Sequence, residues 1–166
     1  MKVRDVLAGK TLKRGEGVGM TGHVNIIHRD PSGNIIDNVT GKNLVVNAGL
    51  AAIAGQLVAD TSTGFEFDWI AIGTGDTAVV ATNTALVNEA MRVSSTGTTV
   101  TTNVANDTAQ YVGTFAITAT ATIQESGVFS SASAGTMLCR KTFNDINVAS
   151  GDSLEVTWQV SFANSS

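Results

Sequence analysis

The chain has 166 residues, of which 43% are hydrophobic and 14% charged, with a formal net charge of −4. That length suits one domain that buries a continuous core without a metal or disulfide staple, and the lone cysteine, Cys139, excludes an intramolecular disulfide. No signal-peptide pattern opens the chain and no apolar stretch is long enough to cross a membrane, so synthesis in a reducing cytosol and no membrane partner are expected.

Charge is unevenly spread. Lys2, Arg4, Lys10, Lys13 and Arg14 fall in the first fourteen positions against Asp5 alone, whereas five basic residues face twelve acidic ones beyond position 20. The basic residues are sparse and lack aromatic neighbours on which bases would stack, which argues against a nucleic-acid partner. Residues 1–21 carry no sustained apolar periodicity, and Gly15-Glu16-Gly17-Val18-Gly19 holds regular structure only at an entropic cost. They read as an extended arm before a single domain at 22–166. In the arm, Val3, Val6, Leu7 and Leu12 are candidate apolar anchors, and Lys10, Lys13 and Arg14 are candidate contacts to acidic patches on a partner.

From His23 to Arg29 the chain reads as a strand, Asp30-Pro31-Ser32-Gly33-Asn34 as a turn, and Ile35 to Val39 as the returning strand. Pro31 presets φ, and Gly33 accepts positive φ. A short strand, Leu44 to Val46, precedes the only expected helix. Asn47 caps it, Leu50, Ile53 and Leu57 recur at helical spacing, and it ends near Ala59. Trp69 to Gly73 is a short buried strand, 77–90 is coil, Met91 to Ser94 a polar strand, and Thr98 to Val104 a threonine-rich edge. Tyr111 to Ile123 alternates apolar and polar residues over its whole length and reads as one long strand. Thr136 to Phe143 and Leu154 to Phe162 complete the set.

Half-buried alternating strands with one helix predict a mainly β fold, an antiparallel, jelly-roll-like β-sandwich. The expected core is Leu50, Ile53, Leu57, Trp69, Ile72, Phe115, Ile117, Val156, Trp158 and Val160.

Little in the sequence suggests catalysis. His23 and His28, five apart on one strand, point to opposite faces and cannot jointly grip a metal, so they read as hydrogen-bonded surface or interface imidazoles. Cys139 sits in an apolar strand as a small hydrophobe. Glu66, Asp68 and Asp76 lack the dense ligand pattern of a calcium loop. No catalytic residue, cofactor or metal is expected.

Several stretches, in order, carry a resemblance: Asn43-Leu44-Val45-Val46-Asn47-Ala48-Gly49-Leu50, Trp69-Ile70-Ala71-Ile72-Gly73-Thr74-Gly75, Gln124-Glu125-Ser126-Gly127-Val128-Phe129, Thr136-Met137-Leu138-Cys139-Arg140, and Gly151-Asp152-Ser153-Leu154-Glu155-Val156-Thr157-Trp158. Together, over roughly residues 22–162, they resemble a family of tailed-bacteriophage virion proteins, described as tail-fibre-like or head-decoration proteins. The resemblance implies a β-sandwich, often trimeric, made in the host cytoplasm and assembled into the virion. The main expectation is a capsid decoration, or cement, protein on the major capsid protein, with a tail-fibre or tail adaptor subunit second. A carbohydrate-binding module or hydrolase is third, since carbohydrate sites present exposed aromatics and Trp69, Tyr111 and Trp158 fall on expected core faces.

Overall fold

A computed structural model of the protein describes residues 17–57 and 66–165. The expected arm residues Val3, Val6, Leu7, Lys10, Leu12, Lys13 and Arg14 lie outside that range. Among the described residues the fold is mainly antiparallel β with one helix. In chain order the elements are β1 (Gly17–Arg29), β2 (Ile35–Val45), α1 (Asn47–Leu57), β3 (Trp69–Gly73), β4 (Glu89–Ser94), β5 (Thr96–Val100), β6 (Thr108–Ala116), β7 (Ala121–Phe129), β8 (Met137–Val148) and β9 (Ser153–Ser165). The strands join in one nine-stranded sheet of order β4-β3-β7-β8-β2-β1-β9-β6-β5. The finer jelly-roll detail finds no support in this order.

The sheet curls until its ends nearly meet. Its terminal strands, β4 and β5, are consecutive in the chain with only Ser95 between them. Across the interior, a Cβ on Gly113 of β6 would lie 3.2 Å from Val93 of β4 and 3.3 Å from Ile70 of β3. A larger residue there would push the two walls apart.

The first hairpin forms as its turn chemistry dictates. Asp30 Oδ1 accepts the amides of Ser32 and Asn34, both at 2.9 Å, and Gly33 takes φ +87°. Strand β1, however, begins at Gly17 rather than His23. Val18 and Gly19 pair with Asn164 and Ala163 of β9, so the arm boundary moves from residue 21 to before residue 17. Pairing with a distant strand overrides the weak local propensity of these glycines. Likewise the returning strand does not end at Val39, since Thr40, Gly41 and Lys42 pair with Asn25, Val24 and His23. They continue β2, which runs beside β1 to Asn43 and then engages β8 through Leu44 and Val45.

The expected long strand at Tyr111 to Ile123 is two strands. Strand β6 pairs with β9, whereas β7 pairs with β3 and β8, so the chain crosses from one part of the sheet to another through 117–120, with Thr118, Ala119 and Thr120 exposed. At the crossing, Ile117 donates its amide to Asp152 O at 2.9 Å and accepts that of Gly151 at 2.8 Å. Phe115, Ile117 and Ile123 are all buried and share one parity, which is why alternation alone shows no break.

Six of the ten expected core residues, Ile72, Phe115, Ile117, Val156, Trp158 and Val160, are buried. Ile53 and Trp69 are half-buried, but Leu50 and Leu57 are exposed. The helix buries Gly49 and Ala52 instead, because it lies against the β8 backbone: a Cβ on Gly49 would be 2.3 Å from Leu138 O. At that separation only small residues fit, and the larger leucines turn outward. A second, smaller cluster of Val46, Ala71, Leu86, Phe129 and Met137 lies apart from the main core. With it, Met137 to Arg140 of β8 are buried on both faces.

Candidate functional site

The most concentrated buried chemistry joins Glu125 of β7 to Arg140 of β8. Both side chains are fully buried, and Arg140 Nη2 lies 2.8 Å from Glu125 Oε2, with Nε 2.9 Å from the same oxygen. Glu125 Oε1 also accepts the amides of Gly75 at 3.1 Å and Asn88 at 2.8 Å, and Oε2 that of Val87 at 3.1 Å. Arg140 donates onward to Asn83 Oδ1 at 3.1 Å and Thr77 O at 3.0 Å. Every bond leaving the pair lands on residues 75–88, so the pair fastens that coil to the sheet. Gly75 permits the approach, since a Cβ there would fall 2.5 Å from Glu125 Oε1. Read locally, Glu125 belongs to a turn and Arg140 to one face of a strand. The available signal was opposite charges within apolar strand sequence, with Gly73 and Gly75 leaving room for a carboxylate.

A second pair is His28 with Asp152. His28 is buried rather than at the surface, and its Nε2 lies 2.8 Å from Asp152 Oδ2, which also accepts the amide of Ala149 at 2.8 Å. The carboxylate has no proton to give, so His28 donates through Nε2. The Ala149 amide, then His28, hold the Asp152 carboxyl below its ordinary 3.8. A carboxyl lowered on folding stabilises the fold above its unfolded pKa and loses that contribution as pH falls through the folded value. The melting-temperature gap between wild type and Asp152→Asn should therefore be complete at pH 7 and close below about pH 4, measured by thermal denaturation across pH. A gap independent of pH would assign the effect to packing.

The remaining sequence candidates do not converge on a reaction. Cys139 is buried, and desolvation raises its thiol far above the usual range, so it is a hydrophobe in chemical practice. Tyr111 is pushed up to about 12 by burial and, secondarily, by Cys139. Glu66 and Asp68 share an open cleft of 830 Å³ with Tyr111, while Asp76 lies elsewhere. Trp158 is buried and unavailable to stack on a sugar ring. Among the described residues no three His, Cys, Asp or Glu side chains come together as a metal site.

What the described surface does offer is an apolar groove where β1 begins. Strand β2 leaves β1 at the Gly22–Asn43 pair to join β8, so the outer edge of residues 17–21 has no partner among the described residues. Val18, Met20, Leu44, Val45 and Leu50 line the resulting groove of 380 Å³, with Asn43 also in its wall. Val18 is 71% exposed, Leu50 46% and Leu44 38%. The expected arm joins the domain here, at Gly17. Comparison of the chain with family models, curated proteins and solved structures returns no match.

Proposed function

We propose that this chain is a structural protein of a tailed-bacteriophage virion: a capsid decoration protein, without catalytic activity, that binds the major capsid protein lattice as a trimer. The reading rests on the resemblance of the five stretches from Asn43 to Trp158. The observation that carries it further is the distribution of charge: five basic residues in the first fourteen positions lead into a sparsely charged, net acidic domain. A lattice-binding module works through such surfaces, because many weak, equivalent contacts multiply through effective concentration. Its strongest buried ionic groups are spent on holding coil and turns rather than left free for chemistry.

Antiserum against the purified protein should label the heads of intact virions in electron micrographs. Label on tails would select the tail-fibre or adaptor alternative, and no label on any particle would overturn the virion reading. Removing residues 2–16, which leaves β1 whole, should leave the domain folded, read as an unchanged β-sheet circular dichroism spectrum, while reducing occupancy on purified particles, increasingly as salt is raised. Undiminished occupancy would move the attachment surface onto the sheet domain.

A further inference from the structure

We infer that the groove beside the start of β1 receives the N-terminal segment, residues 1–16, of a second copy of this chain as an added strand. The first requirement for strand addition is an open edge, and Gly17–Thr21 pair with β9 on one side only among the described residues. Backbone amides and carbonyls on such an edge form a template for another extended segment, with flanking pockets selecting its side chains. The second requirement is apolar surface beside that edge. Val18, Leu44 and Leu50 supply it, and a groove of 380 Å³ falls within the size of clefts that hold ligands.

The occupant follows from what enters the groove region. Sixteen residues precede Gly17, and they contain Val3, Val6, Leu7 and Leu12. Extended, they reach about 50 Å, enough to span to a neighbouring subunit. To fill its own groove a chain would have to reverse immediately before Gly17, whereas a segment from another copy enters without that reversal. Each copy then gives one segment and receives one. Repeated around an axis, such a head-to-tail exchange closes into a ring. The inference stands apart from the virion reading, since it concerns the free protein and requires no particle.

The test separates giver from receiver. Leu44→Glu keeps the N-terminal segment but spoils the groove, and deletion of residues 2–16 does the reverse. In sedimentation at micromolar concentration the wild type should be larger than one chain and each altered protein should be a single chain. Their mixture should sediment as a complex of one copy of each, which has no free groove and segment left to extend it. Val18→Glu, at the more exposed position, should behave like Leu44→Glu and guards against misfolding, with an unchanged β-sheet circular dichroism spectrum as the check, since loss of the interface by itself lowers a melting temperature. The inference is overturned by a monomeric wild type, by self-association that survives either change, or by a mixture that stays monomeric. A synthetic peptide of residues 1–16 that binds the deletion protein while the wild type is monomeric would show the groove filled by its own chain instead.

Discussion

Replacing Glu125 by Ala should bring the protein close to unfolding at room temperature. The change leaves the Arg140 guanidinium fully buried without its counter-charge and strips the amides of Gly75, Val87 and Asn88 of their acceptor. Breaking a buried pair by removing one partner destabilises by about 3–5 kcal/mol, against a total domain stability of about 5–15 kcal/mol. The orphaned amides add to that loss, because a buried donor without an acceptor forfeits its desolvation free energy. Urea denaturation gives the magnitude from the midpoint at constant slope. The double variant Glu125→Leu with Arg140→Met should recover part of the loss, since an apolar pair removes the naked charge. It should not recover all of it, since the three amides remain without an acceptor. Hydrogen exchange at Gly75, Val87 and Asn88 should stay accelerated in both variants. A loss under about 1 kcal/mol for Glu125→Ala would place the pair in a medium far more polar than its burial implies.

Trp158→Ala should cost about 3–5 kcal/mol, the range for removing a large aromatic from a packed core. Trp158 is fully buried on β9 and faces the opposite wall of the curled sheet. Its Nε1 donates to Ser126 Oγ of β7 at 3.2 Å, and that hydroxyl donates to Ala71 O of β3 at 2.8 Å. One side chain thus fills the interior and fixes the position of two strands across it. Trp158→Phe keeps most of the apolar volume but loses the indole donor, so its cost should be smaller, about 1–2 kcal/mol. Equal losses for Ala and Phe would mean the hydrogen bond, not the packing, dominates. Leu57→Ala, at an 86% exposed position, is the control and should leave the urea midpoint unchanged.

Much of this architecture is legible in the sequence wherever a single face decides burial. Leu154, Val156, Trp158 and Val160 alternate in sequence and are buried together, and Asp30 with Gly33 announces the first turn. Legibility fails where tertiary contact decides. The glycines before Met20 become strand because β9 offers them a partner more than a hundred positions away. The helix turns Leu50 outward because its distance from β8 is set by Gly49, and helical spacing carries no record of that distance. Alternation runs through Ile117 unbroken because both strands flanking the crossing face the same interior. The Glu125–Arg140 pair was hard to read for a related reason: apart from Asn83 Oδ1, its partners on residues 75–88 are backbone amides and one carbonyl, which any sequence supplies. The candidate groove was only half legible, since Leu44 and Leu50 read as parts of a strand and a helix, and they are left exposed by two tertiary features, the parting of β2 from β1 and the close approach of Gly49 to β8.

The pairing of β1 with β9 also orders events in time. Gly17 to Arg29 lie beside Ser153 to Ser165, so one of the first strands made closes against the last. At about 5–20 residues per second, β1 waits on the order of ten seconds for its partner to be synthesised. Until then one long edge of the hairpin is open and its apolar face lacks Val156 and Trp158. Closing so distant a contact also carries the full loop entropy before any reward, which places folding among the slower, millisecond-to-second β topologies. A chain ending before residue 153 lacks the strand that joins β1 to β6, so incomplete products cannot close the sheet and are left to proteolysis.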